Sequence, residues 1–149
     1  YDRHCGLFFI LLGLFSAWLT DSLAYFAGRF FGKHKMAPNI SPKKTIEGAV
    51  GGAFAGVLSS VILFLVFDSK YFTVHLFTWW EIAIISLILC VIGMCGDLSA
   101  SVLKRNFGVK DYGKLFPGHG GVMDRFDSAL FVLGALYAII IIYSRIKLA

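Results

Sequence analysis

Charge is scarce in this chain. Of 149 residues, 14 are Lys or Arg and 9 are Asp or Glu, 15% in all, where soluble domains carry about 25%. With 58% hydrophobic residues and a mean hydropathy of +0.76, that shortage excludes an ordinary soluble domain and marks an integral membrane protein. Cysteine is also sparse. Cys5, Cys90 and Cys95 lack any paired metal or redox spacing, so each reads as a small apolar filler. No internal repeat is visible, which argues against the duplicated halves of many transporters. The chain starts at Tyr1 without a methionine and turns apolar within six residues, as expected of a fragment or a processed product. A secretory signal explains the first apolar run less well, because the run is long and Asp21 follows where a neutral cleavage region is required.

Four stretches reach the length of about 20 apolar residues that a hydrocarbon core demands: residues 6–30, 46–67, 79–103 and 122–143. Lipid offers no partner for open backbone groups, and the runs are too long for barrel strands, so each is expected to be helical. The expected fold is all-α, a polytopic membrane bundle of about four transmembrane helices in one domain, 1–149, with a polar cavity on the cytoplasmic side. Orientation follows from the cations. Arg29, Lys33, Lys35, Lys43 and Lys44 follow the first run, and Lys104, Arg105, Lys110 and Lys114 follow the third, against Lys70 alone after the second. The positive-inside rule then places both basic loops in the cytoplasm and makes this a multi-pass protein of the cell (inner or plasma) membrane, although Arg145 and Lys147 pull the other way. The net charge of +5 is read as headgroup-facing, and no nucleic-acid partner is expected.

That topology brings the scarce acids together. Asp21 and Asp97 lie late in inward runs, and Asp124 and Asp127 lie early in an outward one, so all four fall near the inner leaflet. An ionisable group at a helix centre costs roughly 2.5 to 3.5 kcal/mol, which makes such a cluster a functional site by default. Asp97, Ser101 and Lys104 share one helical face at i, i+4 and i+7, and Asp124, Asp127 and Ser128 share another. Hard carboxylate oxygens beside substrate phosphates are what Mg²⁺ prefers. The purely structural alternative pairs Asp97 with Lys104 and Asp124 with Arg125.

Between these acids lie Lys110, Asp111 and the turn Pro117, Gly118, His119, Gly120, Gly121. Consecutive glycines let successive amide N–H groups converge on an anion. Lys43 and Lys44 stand at a helix entrance, where they can neutralise a triphosphate or an anionic lipid headgroup, or simply flank a membrane span. Ser41 and Pro42 stop a helix, and Thr45 with Glu47 suits the start of the next. Gly48, Gly52 and Gly56 form a small-residue stripe explained by close helix packing. Trp79, Trp80 and Tyr143 sit at segment ends as interfacial anchors.

The run Ser101, Lys104, Arg105, Lys110, Asp111, Pro117, His119, Gly120, Gly121, Asp124, Arg125, Asp127 resembles the signature of the CDP-diacylglycerol synthase, or phosphatidate cytidylyltransferase, family. The patterns from Asp21 to Gly32 and from Ser41 to Gly48 are similar to its upstream blocks. Ala100 departs from it, standing where many members have Glu. The family's chains are also considerably longer, with further N-terminal helices, so this chain is expected to be the C-terminal part of one. The resemblance implies that CTP and phosphatidic acid are converted to CDP-diacylglycerol and pyrophosphate with Mg²⁺ as cofactor. Within that reaction the residues themselves suggest metal ligation by Asp97 and Asp124, support from Asp127 and Asp21, and phosphate binding by Lys104, Arg105 and Lys110. Ser101, Asp111 and Arg125 join the substrate contacts, His119, Gly120 and Gly121 hold pyrophosphate, and Arg29, Lys43 and Lys44 receive CTP or the lipid phosphate. Asp97, Lys104, Asp124 and Asp127 form the expected catalytic set, and the bilayer is a partner throughout. Oligomeric state leaves no trace in the sequence, and a homodimer stays open.

Two other readings stand beside this one. A CTP-dependent polyprenol or phytol kinase would transfer the γ-phosphoryl group and leave no cytidine on the lipid. An ion or proton transporter would bury the same acids along a pathway. The DGxxAR opening of CDP-alcohol phosphotransferases is absent.

Overall fold

The computed structural model describes residues 3–38, 40–71, 77–109 and 123–148. Four long helices dominate: α1 (Arg3–Phe31), α2 (Ile46–Tyr71), α3 (Trp79–Asn106) and α4 (Met123–Leu148). Each contains a stretch long and apolar enough to cross a membrane, as the apolar runs predict. All four helices continue past the C-terminal limits of those runs; α1 also starts before its run, and residue 122 lies outside the described residues.

The helices pack by periodic burial. Ile82, Ile85 and Leu89 of α3 and Ala129, Val132 and Leu136 of α4 are buried at i, i+3 and i+7, and meet Phe8, Leu12 and Ala17 of α1 in one core. Many other large apolar side chains, Phe54 and Ile142 among them, face outward, where hydrocarbon is their solvent. Aromatic rings gather at one end of the bundle. Phe8 contacts Phe64 and Phe67 at centroid distances of 6.2 and 5.5 Å, and Phe77 stacks on Tyr143 at 4.4 Å. Tyr143 also donates a 2.5 Å hydrogen bond to Glu81 Oε1, while Glu81 Oε2 accepts the Thr78 N–H at the start of α3. It therefore clamps α4 to α3 in addition to any anchoring role.

Helix α1 touches all three other helices, α2 most extensively, and there the two backbones come close. A Cβ on Gly52 would stand 2.6 Å from both the Thr20 carbonyl oxygen and the Ala24 Cβ. The small-residue stripe on α2 thus serves the packing role expected of it.

One element was not expected from the sequence. Between α1 and α2 a hairpin forms from β1 (Lys35–Ala37) and β2 (Ser41–Thr45). The strands are antiparallel, with Lys35 opposite Thr45 and Ala37 opposite Ser41, and the register shifts between those pairs. Such a bulge re-aims side chains, and here it lies in the strand that carries Lys43 and Lys44. Pro42 is tolerated because a two-stranded ribbon leaves each strand an open edge. Thr45 then caps α2, its Oγ1 accepting the Gly48 N–H at 3.1 Å. Glu47 serves the hairpin instead, accepting the His34 N–H at 3.2 Å and approaching His34 Nδ1 at 2.6 Å.

Candidate active site

Polar side chains meet at the bundle end opposite the aromatic cluster. At 1.5 Å per residue, Asp21 lies about 15 Å before α1 ends and Asp127 about 6 Å after α4 begins, yet the two are neighbours. Ser128 Oγ donates to Asp21 Oδ2 at 2.7 Å, so α1 runs on past the level where α4 starts. Asp97 of α3 pairs with Lys44, which reaches over from β2. Lys104, one face of α3 further on, approaches Asp127 Oδ2 at 3.5 Å. Asp21, Lys44 and Asp97 line one cavity, and Asp127 is tied to the same place by Lys104 and by its neighbour Ser128, which bonds Asp21. Among the described residues, four elements thus supply three carboxylates and two ammonium groups to one place.

A cavity of about 260 Å³ opens beside them. Asp21, Lys44, Asp97, Ser41 and Thr45 form its polar side, and Ala24, Tyr25, Met36, Ala49, Met94 and Leu98 its apolar side. The hairpin closes one wall through Met36, Ser41, Lys44 and Thr45. Its tip is held to α3 as well, where Arg105 Nε points at the Ile40 carbonyl oxygen at 3.5 Å. Helix α3 ends just beyond, at Asn106, and two residues on Gly108 takes a φ of 67°, the left-handed turn that suits glycine. The Val109 N–H then bonds the Lys104 carbonyl at 3.0 Å, which closes the helix below that lysine.

The structure brings together Asp21, Lys44, Asp97, Lys104 and Asp127 of the residues expected from sequence. The expected wall of Asp97, Ser101 and Lys104 divides, because Asp97 turns to the hairpin and Lys104 to α4. Ser101 is half-buried on the same helix. Arg29 is exposed near the end of α1 and is not among the cavity residues. Lys43 belongs to β2 and Asp124 and Arg125 to α4, but their side chains lie outside those described. Lys110, Asp111, His119, Gly120 and Gly121 lie outside the described residues altogether. Among the described residues, no group of three or more His, Cys, Asp or Glu forms a ready metal cage. Sequence reasoning placed Ser128 on the right helix face but missed its bond to Asp21, since pairing across elements has no periodic signal.

Residues 1–143 match the model of the cytidylyltransferase family. Phosphatidate cytidylyltransferases of Staphylococcus saprophyticus, Staphylococcus aureus and Staphylococcus haemolyticus are 46%, 45% and 44% identical over 93% of this chain and 51% of theirs. The chain therefore spans about half the length of the curated relatives it matches. A solved structure described as an intramembrane enzyme for archaeal membrane lipid biosynthesis shares the fold, with a TM-score of 0.59 and 19% identity over 93% of this chain and 80% of that one. With four apolar helices converging on a charged cavity and a family match across nearly its whole length, the chain belongs to the cytidylyltransferase family.

Proposed function

We propose that this chain is the catalytic half of a phosphatidate cytidylyltransferase, which converts CTP and phosphatidic acid to CDP-diacylglycerol and pyrophosphate at the cytoplasmic face of the cell membrane. The observation that carries the reading is the meeting of Lys44, Asp97, Lys104, Asp127 and Asp21 from four elements at one bundle end. An oxygen of the phosphatidate headgroup attacks the α-phosphorus of CTP and forms the new P–O bond. The bond from that phosphorus to the bridging oxygen breaks, and pyrophosphate leaves with the electron pair. The nucleophile is already an anion, so no proton must be removed first.

Catalysis then consists of holding two polyanions together and opposing the charge that builds on the leaving group. Lys44 and Lys104 suit that work, since each ammonium can pass from its carboxylate to a substrate phosphate. Lys43, Arg105, Lys110 and Arg29 are our further candidates for phosphate binding, and His119 with the neighbouring glycines for holding pyrophosphate. The mostly apolar cavity, with its charges on one side, fits a substrate with a charged head and a hydrocarbon body.

The donor set also fits Mg²⁺. Asp21 and Asp97 line the cavity and Asp127 lies beside them through Lys104 and Ser128, so hard carboxylate oxygens from three helices are at hand. Mg²⁺ needs no closed cage, since one or two carboxylates with waters and substrate phosphates suffice. Asp97 and Asp124, with Asp127 and Asp21 in support, would hold it, and when bound it supplies charge neutralisation at the phosphates.

The test uses the full-length protein. Asp97→Asn is expected to abolish Mg²⁺-dependent transfer of label from α-labelled CTP into lipid while leaving the thermal midpoint in detergent close to that of the unaltered protein. Near-normal turnover would remove Asp97 from this role. Lipid labelled from γ-labelled but not α-labelled CTP would identify a kinase instead.

A further inference from the structure

The geometry points to Ser128 as a positioning residue whose hydroxyl sets the site carboxylate of Asp21. The serine lies one position beyond the signature run and is 1% exposed. Its Oγ donates to Asp21 Oδ2 of α1 at 2.7 Å, and its backbone N–H donates to Asp127 Oδ1 of its own helix at 2.8 Å. Asp97 and Asp127 each take a lysine; Asp21 takes this hydroxyl.

The backbone around Asp21 has little latitude. One residue earlier, Thr20 Oγ1 lies 3.0 Å from Cys90 Sγ of α3, and Gly52 of α2 sits against the Thr20 carbonyl. What remains to be set is the rotation of the Asp21 carboxylate, and Ser128 sets it. With Oδ2 held by the hydroxyl, Oδ1 is the oxygen left for a ligand in the cavity that Asp21 lines. A buried donor that orients an acidic ligand in this way acts on cation affinity through the ligand.

The kinetic part of the test rests on the function proposed above; the binding part does not. In the full-length protein, Ser128→Ala is expected to weaken Mn²⁺ binding, read by EPR titration, by about tenfold. The metal concentration for half-maximal turnover rises in step, while kcat at saturating metal changes less. Ser128→Thr keeps the hydroxyl and restores binding. In a cycle with Asp21→Asn, the two losses fail to add, because the serine acts through that aspartate. Ser144→Ala, at the far end of α4, serves as the unaffected control. Unchanged Mn²⁺ affinity in Ser128→Ala, or losses that add fully, overturns the assignment. Equal loss in the Ala and Thr variants, tracking a lowered thermal midpoint, assigns Ser128 to packing and overturns it as well. An unaltered protein that binds Mn²⁺ but puts no cytidine on lipid refutes the proposed reaction, and the binding cycle still decides the role of Ser128.

Discussion

Lys44 and Lys104 each neutralise one aspartate, but their surroundings differ. The Lys104 and Asp127 side chains are 12% and 10% exposed, against 27% and 24% for Lys44 and Asp97. Breaking a buried pair leaves an uncompensated charge and costs about 3 to 5 kcal/mol, whereas replacing both partners with apolar groups is often neutral. Lys104→Met is therefore expected to lower stability by about 3 kcal/mol, and Lys104→Met/Asp127→Leu to recover most of it, both inactive. Denaturation in detergent checks the first pair of outcomes and CTP turnover the second. At the more open pair, Lys44→Met should change stability by less than about 1 kcal/mol and still lose turnover. A comparable fall in stability for Lys44→Met would show that this pair is structural. The sequence marks these residues as expensive charges on helix faces. It does not say which lysine meets which aspartate, because a face is a local property and a partner belongs to the neighbouring element.

The elements differ in how much of their position is written locally. Helix α2 approaches α1 so closely that a methyl group at Gly52 collides with backbone at 2.6 Å, and Gly52→Ala is expected to cost about 1 to 3 kcal/mol through overpacking. Gly134 of α4 has nothing within 4 Å of an added Cβ. Gly134→Ala should instead stabilise by up to about 1 kcal/mol, since Ala is the better helix former. Thermal midpoints of the two variants moving in opposite directions would bear out this asymmetry; a shared direction would refute it. The glycine stripe was legible because its period is helical. The β1–β2 hairpin was not, since its strands are short and its bulge, which delivers Lys44 to Asp97, depends on how α1 and α2 enter it.

At the scale of the molecule, the aromatic cluster and the carboxylate cluster occupy opposite ends of one bundle. The proposed orientation puts the charged end in the cytoplasm, and topology labelling tests it. In a background free of Cys5, Cys90 and Cys95, Lys35→Cys in the exposed start of β1 should react with an impermeant maleimide only from the cytoplasmic side. Trp80→Cys, exposed at the other end, should react only from the opposite side. Reversed labelling would place the cavity outside the cell and remove its access to cytoplasmic CTP.

Composition and run length alone determined that this is a helical membrane protein, because hydrocarbon tolerates little else across its width. The few acids alone marked where chemistry resides, because charge near hydrocarbon costs too much to be incidental. Only the tertiary structure decided that Lys44 answers Asp97, Lys104 answers Asp127 and Ser128 answers Asp21. Those bonds join residues on different elements, and the distance between two elements is set by packing along their whole lengths, which no local pattern records.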